Sequence, residues 1–157
     1  MLLNKLYAIF LLYLSSVISL LANLPELSSI NPIEFDEVAQ KLVASNEATF
    51  DFKNIRLKAD VITYYKNYNL LNARGGINFV SNNHRLLSDD FALDVQSNTF
   101  SINNIKYGTW PYYISAKSGG GNEERIQFNQ GVFYYGNPHP LSPNLKAQTV
   151  SIVNKDN

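Results

Sequence analysis

Past Asn46 the chain settles into a two-residue rhythm. Leu71, Ala73, Gly75, Ile77 and Phe79 alternate with Asn72, Arg74, Gly76 and Asn78, the period of a strand with one buried face. The rhythm resumes at Phe100 and Ile102 and again at Ile126 and Phe128. Turn-forming clusters divide these runs. "SNNH" (Ser81 to His84) reads as a turn, a second falls near Ser97–Asn98, and "KSGGGNEE" (Lys117 to Glu124) reads as a Gly-rich hairpin turn. "RIQFNQGVFYY" (Arg125 to Tyr135) is strand-like, "GNPHPLSPN" carries three prolines and predicts a loop, and a final strand follows from Leu145 to Val153. Short strands separated by turns predict an all-β domain: a sandwich, jelly roll, barrel or solenoid.

The pattern differs before Asn46. Asn23 to Ser29 reads as a linker. In "NPIEFDEVAQKLV", Asn31 fits a cap, Pro32 the first helical position and Glu34 the third. Phe35, Val38 and Leu42 then share one helical face, which predicts a short helix from Pro32 to Val43.

One spacing recurs. "LKADVITYY" starts at Leu57, "LLSDDFALD" at Leu86 and "LKAQTVSIV" at Leu145. Aligned on Ala59, Ser88, Ala116 and Ala147, each copy has an aliphatic residue two positions earlier: Leu57, Leu86, Ile114 and Leu145. Three and five positions later stand Ile62 and Tyr64, Phe91 and Leu93, and Val150 and Ile152, whereas the third copy has Gly119 and Gly121. The three-residue step would send the second pair to the opposite face of a flat strand. A bulge or bend returns both pairs to one side, with Asp60 and Asp89 at the corner. The repeat therefore predicts bent strands wrapping a common interior.

Composition adds three constraints. There is no Cys, which removes disulfides and thiolate chemistry. Six acids and one base lie between Asn23 and Asp51, against seven acids and eleven bases from Phe52 onward. The body is mildly basic without a broad basic field, which argues against nucleic acid as a partner. "MLLNKLYAIFLLYLSSVISLLA" has one base, an uncharged apolar run and a small residue at Ala22, the layout of a signal peptide or a short anchor. The expected organisation is a signal or anchor over 1–22, a linker and short helix over 23–46, and the β domain over 47–157.

"IRLKADVITYYKNYNLLNARGGINF" and "HRLLSDDFALDVQSNTF" carry an aliphatic-x-Ala-Asp-x-x-x-Tyr motif: Leu57, Ala59, Asp60 and Tyr64, then Ala73, Gly75 or Gly76 and Ile77, with a second copy at Leu86, Ser88, Asp89 and Leu93. This resembles the OstA-like jelly-roll family of lipopolysaccharide transport, which includes LptA, LptC and the N-terminal periplasmic domain of LptD. "PYYISAKS" and "NPHPLSPNLKAQTVSIVNKD" look most like the last of these. The resemblance covers Ala48 to Asp156. It implies an open β-jelly-roll, exported to the periplasm and associated with either membrane. Its groove would shield the acyl chains of lipid A, and its exposed strand edges would pair with other jelly-roll domains of a transport bridge. The chain ends at Asn157 without barrel strands, so the resemblance implies a stand-alone, anchored or N-terminal portion of such a system. The expected lining is Leu57, Ala59, Ile62, Tyr64, Ile77, Phe79, Leu86, Phe91, Leu93, Phe100 and Ile102, with Lys58, Arg74 and Arg85 as bases near the rim.

No catalytic constellation accompanies this pattern. His84 and His139 sit in turn-like segments without metal-ligand spacing. Asp89–Asp90 and Glu123–Glu124 read as solvated pairs, "SGGGN" lacks the Lys-Ser or Lys-Thr of a phosphate cradle, and Trp110 reads as a core anchor, with a groove-lip residue as the alternative. The expectation is a non-enzymatic protein with no metal and no cofactor. The alternative is a structural β-solenoid or envelope scaffold, with a filled interior and assembly through strand edges.

Overall fold

The computed structural model describes residues 25–81, 84–122, 124–139 and 141–153. The signal or anchor segment lies outside them. The described chain forms one antiparallel sheet of ten strands: β1 (Glu26–Ser28), β2 (Glu34–Asp36), β3 (Lys41–Phe52), β4 (Ile55–Tyr65), β5 (Leu70–Ser81), β6 (His84–Asp94), β7 (Thr99–Thr109), β8 (Tyr112–Gly121), β9 (Arg125–Tyr135) and β10 (Asn144–Val153). From β3 to β10 each strand pairs with the next in sequence, so the sheet is a meander. The all-β expectation holds.

Local chemistry places the turns. The Asp94 carboxylate accepts the amides of Gln96 (2.9 Å) and Ser97 (3.0 Å) between β6 and β7. Asn122 Oδ1 accepts those of Glu124 (3.1 Å) and Arg125 (3.0 Å) between β8 and β9. Such side-chain mimicry of a backbone turn is why Asp and Asn concentrate at these positions. The Gly-rich turn expected over Lys117 to Glu124 is shorter than that: Lys117 to Gly121 belong to β8.

The N-terminal helix does not form. Phe35 pairs with Leu42 and Glu34 with Val43, as a strand–turn–strand closed around Glu37 to Gln40. Asn31 donates its amide to the Ser45 hydroxyl at 3.2 Å, and Asp36 accepts the Ala39 amide at 2.9 Å. The outer edge of β3 decides the outcome, because its open backbone groups need partners. β1 covers one half of that edge and β2 the other, and the Ile30 amide donates to the Asn46 carbonyl between them at 3.0 Å. Residues expected to form a linker are thus part of the sheet, and the boundary placed at 46/47 falls inside β3.

Four long strands, β4, β6, β7 and β9, reverse their facing near the middle, whereas β3 and β5 keep one alternation throughout. β4 buries Ile55, Leu57 and Ala59, exposes both Asp60 and Val61, and buries Ile62. β6, β7 and β9 do the same around Asp89–Asp90, Asn103–Asn104 and Asn129–Gln130. These corners line up across the sheet through its register. Asp60 and Asp89 do sit at the bend, but the extra residue lies on the strands beside them. Asn46 and Glu47 of β3 oppose Asp60 alone, and Gly75 and Gly76 of β5 oppose Asp89 alone, the two-against-one count of a β-bulge.

Left-handed backbone supplies the turn of the crease. It occurs at Asn46 (φ 65°) and Glu47 (φ 52°) in β3, Gly75 (φ 74°) and Gly76 (φ 54°) in β5, Asn104 (φ 51°) in β7 and Gln130 (φ 52°) in β9. These are alternate strands. The Asp60 carboxylate lies over Gly75, where a Cβ would fall 2.2 Å from Oδ2. Gly75 is thus required twice, for its φ and for the space.

The crease folds the sheet so that the two halves of each strand form facing walls. One wall carries Leu57, Phe79, Leu86, Tyr107 and Ile114, and the other Ile62, Leu71, Phe91, Leu93, Phe100, Ile102 and Phe128. All of these are buried and belong to one core.

Candidate functional site

The interior between the walls is the candidate site. Every expected lining residue faces it. Leu57, Ala59, Ile62, Ile77, Phe79, Leu86, Phe91, Leu93, Phe100 and Ile102 are buried. Tyr64 is half-buried, with its hydroxyl 3.1 Å from Asn69 Oδ1. The crease brings these residues together by returning both halves of each strand to one side.

Over much of its length they fill the space they surround. Phe79 lies 4.9 Å from Phe91 and 5.2 Å from Phe100 by ring centroids, and Phe91 and Phe100 stack at 5.8 Å. Phe79 belongs to one wall and its two partners to the other, so the cluster bolts the walls together. The gap remaining near Phe79, Phe100 and Ile126 measures about 10 Å³.

The interior opens toward the last strand. A pocket of about 270 Å³ lies between Tyr107, Thr109, Tyr112, Ile114 and Phe133 on one side and Val150, Ser151 and Ile152 on the other. Its lining is almost wholly apolar. Phe133, Val150 and Ile152 pack on the core but stay partly exposed. Leu145 is 70% exposed, because β10 has no further strand beside it among the described residues. Tyr112 lies 5.8 Å from Phe133 and 5.8 Å from Tyr135, forming an aromatic lip.

Sequence reasoning did not place Tyr107, Tyr112 or Phe133 in the site. A usable signal exists in "GVFYYG" and "PYYISAKS", whose apolar and aromatic residues align across β8 and β9 as Ile114 with Phe133 and Tyr112 with Tyr135. The broken third copy also has a reason. A Cβ on Gly119 would lie 2.6 Å from the Gln127 carbonyl oxygen and 2.7 Å from Ile105 Cδ1. Large neighbours already occupy the place that Phe91 takes in β6.

The expected rim bases are elsewhere. Lys58, Arg74 and Arg85 are exposed on the outer face of the sheet. Arg74 lies 3.9 Å from Asp90, and Arg85 donates Nε–H to Asn78 Oδ1 at 3.1 Å. Trp110 is no core anchor: it stands 72% exposed at the β7–β8 turn.

Titratable groups near the interior are few. The Tyr107 hydroxyl lies 2.8 Å from His84 Nδ1, and burial holds its pKa above the usual tyrosine range. His139 is an exposed loop residue whose Nδ1 accepts the Leu141 amide at 3.2 Å. No three potential metal ligands gather among the described residues. The chemistry this arrangement offers is apolar contact at an open-ended cleft.

No protein-family model matches the chain, and no curated protein matches it. Among solved structures it is similar to the crystal structure of LptH, described as the LptA homologous periplasmic component of the conserved lipopolysaccharide transport device from Pseudomonas aeruginosa. The TM-score is 0.62, with 85% of this chain and 96% of that chain covered, at 8% identity. At that identity the likeness carries the fold: a jelly roll of the LptA kind.

Proposed function

We propose that the chain is a non-enzymatic periplasmic lipid-guiding module, which shields the acyl chains of lipopolysaccharide between its two walls on their way to the outer membrane. The observation that carries the reading is the apolar opening at Tyr107, Ile114, Phe133, Val150 and Ile152, continuous with a buried apolar interior. The likeness to LptH supports it. Each methylene moved from water into such a cleft contributes about 0.8 kcal/mol, and the polar head group stays outside. An acyl chain entering beside Val150 meets Tyr107 and Phe128 next, then the residues read from the repeat. Its passage parts the walls at the aromatic cluster. Under this proposal the unpaired edge of β10 accepts a strand from another jelly-roll domain of the bridge. Kinship with the N-terminal domain of LptD, drawn from the residues after Pro111, belongs to the same proposal.

The packed Phe79, Phe91 and Phe100 cluster favours the alternative, a scaffold with a solid interior. One experiment separates the two. A photoreactive amino acid is placed in cells at Phe133, Ile152, Phe91 or the exposed Lys58. Crosslinks to lipopolysaccharide from the first three, absent at Lys58, are the expected result. Crosslinks to protein alone from all of them would overturn the lipid reading.

A further inference from the structure

The outer face of the sheet carries a second concavity, on the other side from the apolar opening. It measures about 360 Å³ and is lined chiefly by Arg85, Leu87, Lys106, Gly108, Trp110 and Tyr113, a volume within the range of small-ligand sites. Register explains its shape. Arg85 of β6 stands opposite Gly108 of β7, which stands opposite Tyr113 of β8. In the next outward-facing row Leu87 stands opposite Lys106. Gly108 leaves a notch in the first row. The Tyr113 ring rests against it, so that a Cβ there would lie 3.1 Å from Cδ1. Trp110 rises from the adjoining turn.

Two cations without an ion pair among the described residues meet at this place. Arg56 is paired with Asp51 at 2.7 Å, and Arg74 with Asp90 at 3.9 Å. Arg85 and Lys106 have no carboxylate within ion-pair distance among the described residues, and no acid lines the concavity. The two cations are diagonal neighbours on one face, about 7 Å apart at the strand level. The bond from Arg85 Nε to Asn78 Oδ1 holds the guanidinium and engages only Nε, so its terminal nitrogens remain available to an anion. Beside the cations lie the exposed indole of Trp110 and the ring of Tyr113, flat surfaces with an apolar face and a polar tip.

We infer that this outer concavity binds a phosphate-bearing pyranose, with the phosphate between Arg85 and Lys106 and the sugar ring against Trp110 and Tyr113. The combination selects the class. A bare anion has no use for two aromatic faces, and a neutral sugar has none for two unpaired cations. The site is on the opposite face from the acyl-chain opening and does not rest on the lipid reading.

Trp110 is the only tryptophan of the chain, so its indole N–H resonance reports on this site alone. The full chain is titrated with glucose 1-phosphate, glucose, inorganic phosphate and vesicles of anionic phospholipid. The expected result is a saturable shift of the indole resonance by glucose 1-phosphate, at concentrations at least tenfold lower than glucose or phosphate requires. Arg85→Gln and Lys106→Gln should each weaken it at least fivefold, with unchanged thermal unfolding because both side chains are exposed. Trp110→Leu, followed through the Gly108 amide, should weaken it similarly. The inference is overturned if inorganic phosphate matches the phosphosugar, if glucose matches it, if no ligand shifts the resonance, or if only vesicles do.

Discussion

Gly119→Ala sets the repeat against the packing. By the repeat, an apolar side chain at 119 completes the third copy and should stabilise it. By the structure, the added Cβ meets the Gln127 carbonyl oxygen at 2.6 Å, Ile105 Cδ1 at 2.7 Å and Phe128 Cδ1 at 3.2 Å. The first is backbone and cannot move without disturbing the β8–β9 ladder. Gly→Ala at an unstrained position gains about 0.4–1 kcal/mol through the unfolded chain, whereas overpacking costs about 1–3 kcal/mol. The net expectation is a loss of roughly 1–2 kcal/mol, or about 2–8 °C in melting temperature for a chain of this size. Urea unfolding followed by circular dichroism measures it. Ile105→Val removes the offending Cδ1 at its own cost of about 0.5–1.5 kcal/mol, so the double variant should lose less than the two singles together. Gly131→Ala is the control, because its Cβ meets movable side-chain atoms, Val150 Cγ2 at 3.3 Å and Ile114 Cγ2 at 3.8 Å. That variant should stay within about 0.5 kcal/mol of the parent. A Gly119→Ala protein as stable as the parent would refute the packing account.

Phe79→Ala removes the ring that ties the two walls, and should cost about 3–5 kcal/mol by urea titration. Gly75→Ala meets both a left-handed φ of 74° and the Asp60 carboxylate. It should lose about 1–3 kcal/mol, and pairing it with Asp60→Ala should recover the steric part but not the conformational part. The Ser97 amide first, then the Ser97 side chain and the Gln96 amide, hold the Asp94 carboxyl below the usual aspartate range. Its contribution is therefore present above the ordinary aspartate pKa and lost as pH falls through the folded-state value. Asp94→Asn should flatten the acid limb of the urea midpoint as pH falls through about 4 and below, and an unchanged slope would discount the turn.

Much of the fold was legible because the wall residues obey a short-range rule. Leu57, Ala59, Ile62 and Phe91 declare their facing by spacing alone, and the odd step at Asp60 announces the crease. The extra residues were not legible in the same way. Asn46, Glu47, Gly75 and Gly76 lie on the partner strands, and only pairing reveals what they oppose. The helix over Pro32 to Val43 failed because good caps are a local preference, while the open edge of β3 is a long-range demand that outweighed them. Trp110 misled for a related reason: size argues for burial, but its neighbours put it at the tip of a hairpin. The lining read from the repeat is on the interior, yet the opening lies further along, at Tyr112 and Phe133. Those aromatics occur on strands that break the repeat.

The meander also fixes an order of opening. Because each strand from β3 onward is held by the strands adjacent to it in sequence, release of β10 breaks one ladder and leaves the other ladders intact. Amide exchange should therefore grade along the sheet, fastest on the outward amides of β10 and slowest beside Phe79 and Leu86, where packing closes both sides. Closing such neighbouring pairs demands little loop entropy at each step. The chain can thus assemble as a zipper and yield at its last tooth without losing the rest.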